Sequence, residues 1–163
     1  MLRKKSKRHF YIVTVIVVLL VIWTAWSNTT VGITHYTVAS DRLPASFDHY
    51  SIVVVSDLHN AEFGENNSQL IKLIEKEKPD IIVITGDLVD SNKTNIDIAQ
   101  KLVGTLTGIA PCYYVTGNHE AWLGEQYQEL ESILLDEGVA ILHDRAVQLI
   151  KNTESIQLAG LDD

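Results

Sequence analysis

Asp57 and His59 stand two positions apart where the apolar run Val53–Val55 stops. A second apolar run, 81–85, stops before Gly86-Asp87, with Asp90 three residues on. A third, in "CYYVTGNHE" (112–120), stops before Asn118, His119 and Glu120. Carboxylate, imidazole and amide oxygen suit borderline or hard divalent cations such as zinc, manganese or iron. Taken singly, each motif has an ordinary reading as a strand–turn junction, an Asp helix cap or an Asn turn with a surface histidine. Taken together they do not, because the spacing from Asp57 to Asp87 and from Asp87 to Asn118 is one βαβ unit each time. Two residues apart on a strand end, Asp57 and His59 should point to the same side and reach one cation. Asp87 follows a glycine that lets a ligand approach, and its two oxygens could bridge two cations. Two such ions about 3.5–4 Å apart can activate water and stabilise in-line phosphoryl displacement.

The elements that must hold these residues follow from periodicity. "SIVVVSD" (51–57), "DIIVITGD" (80–87), "CYYVTGN" (112–118) and "VAILHD" (139–144) read as strands. Between them, 67–77, 95–106 and 125–138 read as helices; Ala99, Leu102, Val103 and Leu106 share one face of the second, and Gly138 stops the third. "AVQLI" and "SIQLAG" flank a turn and read as a hairpin. Continuous apolar strands alternating with helices predict an α/β fold whose parallel sheet is covered on both faces. Ligands of such sheets collect beyond the carboxyl ends of the strands, which is where the three polar clusters fall.

Charge and hydropathy divide the remainder. Residues 1–9 hold five cations, Arg3, Lys4, Lys5, Lys7 and Arg8; the rest of the chain has eight against 21 acids. An acidic body excludes a large nucleic-acid footprint, which needs a basic face. Residues 10–26 are uncharged, just long enough to cross a hydrocarbon core, and end near Trp23 and Trp26. They are expected to form a single transmembrane anchor with the N-terminus inside and the body on the extracytoplasmic side of the cell membrane; the rival is a cleaved signal peptide. Residues 27–50 read as tether and lead-in, with "ITHYTV" (33–38) compatible with an edge strand, and 51–163 as the domain. His35 and His49 read as surface histidines, and Cys112 as a free structural thiol.

"SDLH", "TGDLVD" and "TGNHE" resemble the first three motifs of the calcineurin-like metallophosphoesterases, and the anchor with "LAGLDD" (158–163) resembles their bacterial membrane-associated phosphodiesterase branch. The resemblance implies a four-layer αββα sandwich, of which this chain is the N-terminal half, and a phosphoester hydrolase using two divalent ions. It implies that Asp57 and His59 bind the first ion, Asp87 bridges both, and Asn118 binds the second. His119 would act beside the leaving oxygen as acid or charge stabiliser, while Asp90 and Glu120 support rather than ligate. Substrates would be small phosphoesters or lipid-linked ones. The family's later Gly-His-x-His motif is not in these 163 residues, and His143 in "VAILHD" matches none of its ligands and reads as a structural strand residue. Two readings stay open: the N-terminal portion of a membrane-anchored phosphoesterase, or an inactive membrane-tethered protein with a vestigial metal site.

Overall fold

The structure, a computed structural model, describes residues 2–162; the side chains of residues 2–6, 25, 28 and 29 lie outside the described set. The expectations on the Arg3, Lys4 and Lys5 side chains and on Asp163 fall outside it. The chain divides into two compact units, 1–33 and 34–163.

The first unit is one helix, α1 (Leu2–Thr29). It runs past the expected 10–26 at both ends; on the N-terminal side the flanking Lys and Arg residues are good helix formers. Its apolar side chains are exposed all round, from Phe10 to Trp26. A helix that is apolar on every side is matched to lipid or to a protein core rather than to water. By length and composition its Lys7–Thr24 stretch can cross a membrane.

The second unit is a mixed α/β domain. Strands β1 (Ile52–Val55), β2 (Ile81–Thr85), β3 (Cys112–Val115) and β4 (Ala140–Ile141) pair in parallel, in the order β1-β2-β3-β4. Helices α2 (Ser68–Glu77), α3 (Ile96–Leu106), α4 (Asn118–Ala121) and α5 (Gln126–Asp136) lie in the connections. Strand order never reverses, so right-handed crossovers place α2, α3 and α5 on one face of the sheet. Val55, Ile82, Ile84, Cys112, Tyr114 and Ile141 are the buried sheet residues on one alternation. Leu70 and Ile74, then Ala99, Leu102, Val103 and Leu106, then Leu130 and Leu134 give the helices their matching apolar stripes.

The opposite face is covered by a different device. Strands β5 (Ala146–Lys151) and β6 (Glu154–Ala159) form the expected antiparallel hairpin as a second sheet. Its inward residues Leu149, Ile156 and Leu158 pack with Phe47, Tyr50, Ile81, Val83 and Tyr113. Helix layer, parallel sheet and hairpin therefore stack in that order. Coverage of both faces holds for β2 and β3 only in this sense; on the edge strand β1, Ile52 and Val54 remain 46% and 62% exposed.

Two expectations need correction. Residues 33–38 form no strand; Tyr36 and Val38 are each 87% exposed, so pairing there would bury nothing to offset the ordering cost. His143 lies in a bend beyond β4, not within a strand, because β4 stops at Ile141. Cys112 is a buried free thiol, raised to a pKa of about 11 by burial.

Candidate metal centre

The three polar clusters meet at the carboxyl edge of the sheet, but not as strand residues. β1 and β2 end at Val55 and Thr85, two residues before Asp57 and Asp87. Asp57, His59 and Asp87 all adopt positive φ, at 55°, 46° and 50°. Left-handed backbone is tolerated by Asp, Asn and His more than by most residues. Asp57 and His59 are thus brought together by a turn, not by strand alternation.

Backbone hydrogen bonds run on past the strands. Asp57 N–H donates to the Gly86 carbonyl (3.3 Å), His59 N–H to Asp87 (2.8 Å) and Asn60 N–H to Leu88 (3.2 Å). The third loop is tied in by Glu120, which is only 1% exposed. Its Oε2 accepts the N–H groups of Asp87 (2.7 Å) and Gly117 (2.8 Å), and its Oε1 that of Val89 (3.2 Å). The Asp87 carboxylate returns the link, as its Oδ1 accepts the His119 N–H at 2.8 Å. Loop contact is close enough to exclude side chains: a Cβ at Gly117 would lie 2.5 Å from Asp87 Oδ1, and one at Gly86 would lie 2.4 Å from the Gly117 nitrogen.

His59 Nε2 lies 3.7 Å from Asp87 Oδ2 and 4.0 Å from Asp57 Oδ1. The His119 ring stands edge-on to that of His59, with centroids 4.4 Å apart. His59, Asp87 and His119 each offer one ligand atom, and those atoms lie within 4.8 Å of one another. A cleft of about 530 Å³ is lined by Asp57, Asp87, Asn118 and Asp162 among others. Asp87 is common to the histidine group and to the cleft. Ser56 Oγ donates to Asp57.

His119 lies on the short helix α4, next to Asn118, with its ring against that of His59. Its Nδ1 accepts the Ser91 N–H at 3.1 Å and lies 3.7 Å from Asp90 Oδ1. A ring that accepts at Nδ1 carries its proton on Nε2 when neutral. Asp90 is held below the usual carboxylate range, chiefly by the Asn92 N–H, with a smaller contribution from His119. Sequence reasoning missed Asp162, whose only signal is its place in "LAGLDD".

The His59 imidazole with the Asp57 and Asp87 carboxylates fits a borderline divalent cation, and the His119 ring beside it keeps its proton. Among the cleft carboxylates Asp162 already has His143 as its partner, whereas Asp57 and Asp87 would gain their counter-charge from a cation. The glycine at 117 leaves the Asp87 carboxylate room that any Cβ would take.

Comparison with known proteins agrees with this geometry. The family model of calcineurin-like phosphoesterases matches residues 50–158. A metallophosphoesterase of Aquifex aeolicus is 33% identical over 130 residues, covering 78% of this chain and 48% of its own. The YkoQ metallophosphoesterase of Bacillus subtilis is 31% identical over 127 residues, covering 76% of this chain and 46% of its own. A transmembrane protein with metallophosphoesterase domain from Bos taurus is 30% identical and covers 99% of this chain but 38% of its own. The chain thus spans about half or less of each of these relatives, and they extend beyond any bacterial branch. Three motifs at successive strand ends, a metal-fitting donor group and a family match over most of the folded unit lead to one conclusion: the chain belongs to the calcineurin-like phosphoesterase family.

Proposed function

We propose that residues 51–163 supply the metal-binding part of a membrane-anchored phosphoester hydrolase, with residues 1–9 as a cytoplasmic head, 10–26 as the anchor and 27–50 as the tether. The observation that carries this reading is the position of Asp87, shared by the histidine group and the carboxylate-lined cleft. Asp57, His59 and Asp87 would hold one divalent ion, and Asp87 with Asn118 a second. Bound there, such ions would make a water more acidic, toward a pKa of about 7, and neutralise charge on a phosphoryl group. His119, with its proton on Nε2, would donate to the leaving oxygen. Asp90 and Glu120 would orient rather than ligate. The substrate class is a phosphoester, free or lipid-linked, on the extracytoplasmic side; nucleic acid is not expected to bind.

Purified in detergent and loaded with manganese, the chain is expected to retain the ion and to hydrolyse a generic aryl phosphodiester, with turnover lost to a chelator and restored by manganese. Failure to retain metal would sink this reading. A second reading, a metal-binding protein without turnover, is favoured by one observation: Asp162, the remaining carboxylate of the cleft, is already engaged by His143 and Thr116. Stoichiometric metal without hydrolysis would select it.

Orientation is tested separately. Protease added to intact cells or spheroplasts is expected to digest the body while the membrane protects α1. A body resistant until lysis would reverse the proposed topology, and a body free in the medium would identify α1 as a cleaved signal.

A further inference from the structure

His143 is a half-exposed histidine with a carboxylate at each nitrogen. Nδ1 is 2.6 Å from Asp162 Oδ2, and Nε2 is 2.7 Å from Glu131 Oε1 on α5. Only a doubly protonated ring can donate to both. The Asp162 hydrogen bond, then that of Glu131, raises the His143 pKa. For Asp162, partial burial opposes ionisation, but His143 and the Thr116 N–H outweigh it and hold the carboxyl below its usual range.

Asp162 divides its oxygens between two tasks. Oδ2 meets His143, and Oδ1 accepts the Thr116 N–H at 3.1 Å. Thr116 is the first residue beyond β3 and stands two before Asn118. The segment that carries Asp162 is itself pinned: Gly160 N–H donates to the Arg145 carbonyl (3.0 Å), and Asp162 N–H to Asp144 Oδ1 (3.2 Å). A continuous path of hydrogen bonds therefore runs from α5 through His143 and Asp162 into the loop that presents Asn118 and His119.

We propose that Asp162, clamped by His143 and Glu131, is a positioning residue that sets the β3–α4 loop at the edge of the metal cleft. The ordinary alternative is a surface ion pair, and such pairs contribute little. Two features separate the cases. Asp162 bonds a backbone amide of a site loop, and its carboxylate lines the cleft itself. The consequence for metal retention rests on the phosphoesterase reading, whereas the loop's position does not.

The test is amide hydrogen exchange on the full chain in detergent, with wild type, Asp162→Ala, Asp162→Asn and His143→Gln compared. Asp162→Ala is expected to speed exchange at 116–119 by about tenfold, the effect of losing one hydrogen bond of ordinary net worth. Asp162→Asn, which keeps an acceptor for Thr116, should give a smaller rise, and His143→Gln likewise. β2 amides should not change. Nitrogen-15 imidazole spectra provide a second readout that a general packing role would not move. His143 should stay doubly protonated to higher pH than an ordinary histidine, and less so in Asp162→Asn, where only Glu131 remains as its carboxylate partner. The groups facing it are Asp162, Glu131 and the Tyr127 ring at 6.3 Å, with Asp144 and Arg145 adjoining. Unchanged exchange at 116–119 in Asp162→Ala, acceleration shared equally by β2, or ordinary His143 titration would each overturn the proposal. Manganese half-saturation is measured in parallel. If wild type binds none, the phosphoesterase reading falls while the exchange data still decide this one.

Discussion

Asp87→Asn is expected to leave the chain unable to retain manganese, a larger loss than Asp57→Asn produces. The Asp87 side chain is 11% exposed, with one oxygen fixed by the His119 N–H and the other facing His59. An amide in that place has one acceptor where the carboxylate has two. Turned either way, it either loses the His119 bond or sets an NH₂ group against His59, and it removes a negative charge that both halves of the site share. Asp57 is 68% exposed and borders the cleft from one side. Supporting partners of metal ligands typically cost about 10- to 100-fold in affinity, and the loss at Asp87 should exceed that range. Metal content per chain after loading and buffer exchange makes the comparison. Equal losses in the two variants, or a greater loss in Asp57→Asn, would remove the shared role.

Glu120→Ala should be among the most destabilising single changes in the folded unit. Three N–H groups, from Asp87, Val89 and Gly117, end on this one buried carboxylate. Each buried donor left without an acceptor costs about 1–3 kcal/mol, so the variant should lose roughly 3 kcal/mol or more even if water enters the space. That is a large part of the roughly 5–15 kcal/mol that stabilises a typical domain. Glu120→Gln keeps one oxygen, which can serve the Oε2 pair or Val89 but not all three, and should fall between. Thermal melts of the three proteins give the ranking; an alanine variant melting with wild type would mean that Glu120 bears no such load.

The element order was legible because the strands are unbroken apolar runs and the helices carry clean stripes, as in Ala99, Leu102, Val103 and Leu106. That residues 33–38 form no strand was not, since Tyr36 and Val38 have a strand-like pattern without a surface to bury against. At the site, the polar endings of three runs pointed to one place. What brings them together was hidden. Left-handed turns at Asp57, His59 and Asp87 leave no periodic trace, and a four-residue helix such as α4 is too short to have one. Glu120, through Asp87 and Val89, and Asp162, through Thr116, act on backbone amides distant in sequence, which no spacing encodes. His143 sat beside an apolar run and read as part of it, although its partners are on α5 and beyond β6.

The hydrogen bonds that continue from Asp57, His59 and Asn60 onto the Gly86–Leu88 backbone have a mechanical meaning. The first two loops are an extension of the β1–β2 ladder, riveted to the third by Glu120. Local opening energies in proteins range from near zero in loose loops to the full unfolding energy in central strands. These loops belong to the upper end of that scale, despite lying at the surface. The donors around Asp87 should therefore neither drift nor fray singly as temperature rises; they should hold their spacing until the sheet itself gives way, so that the cation cradle and the scaffold fail as one piece.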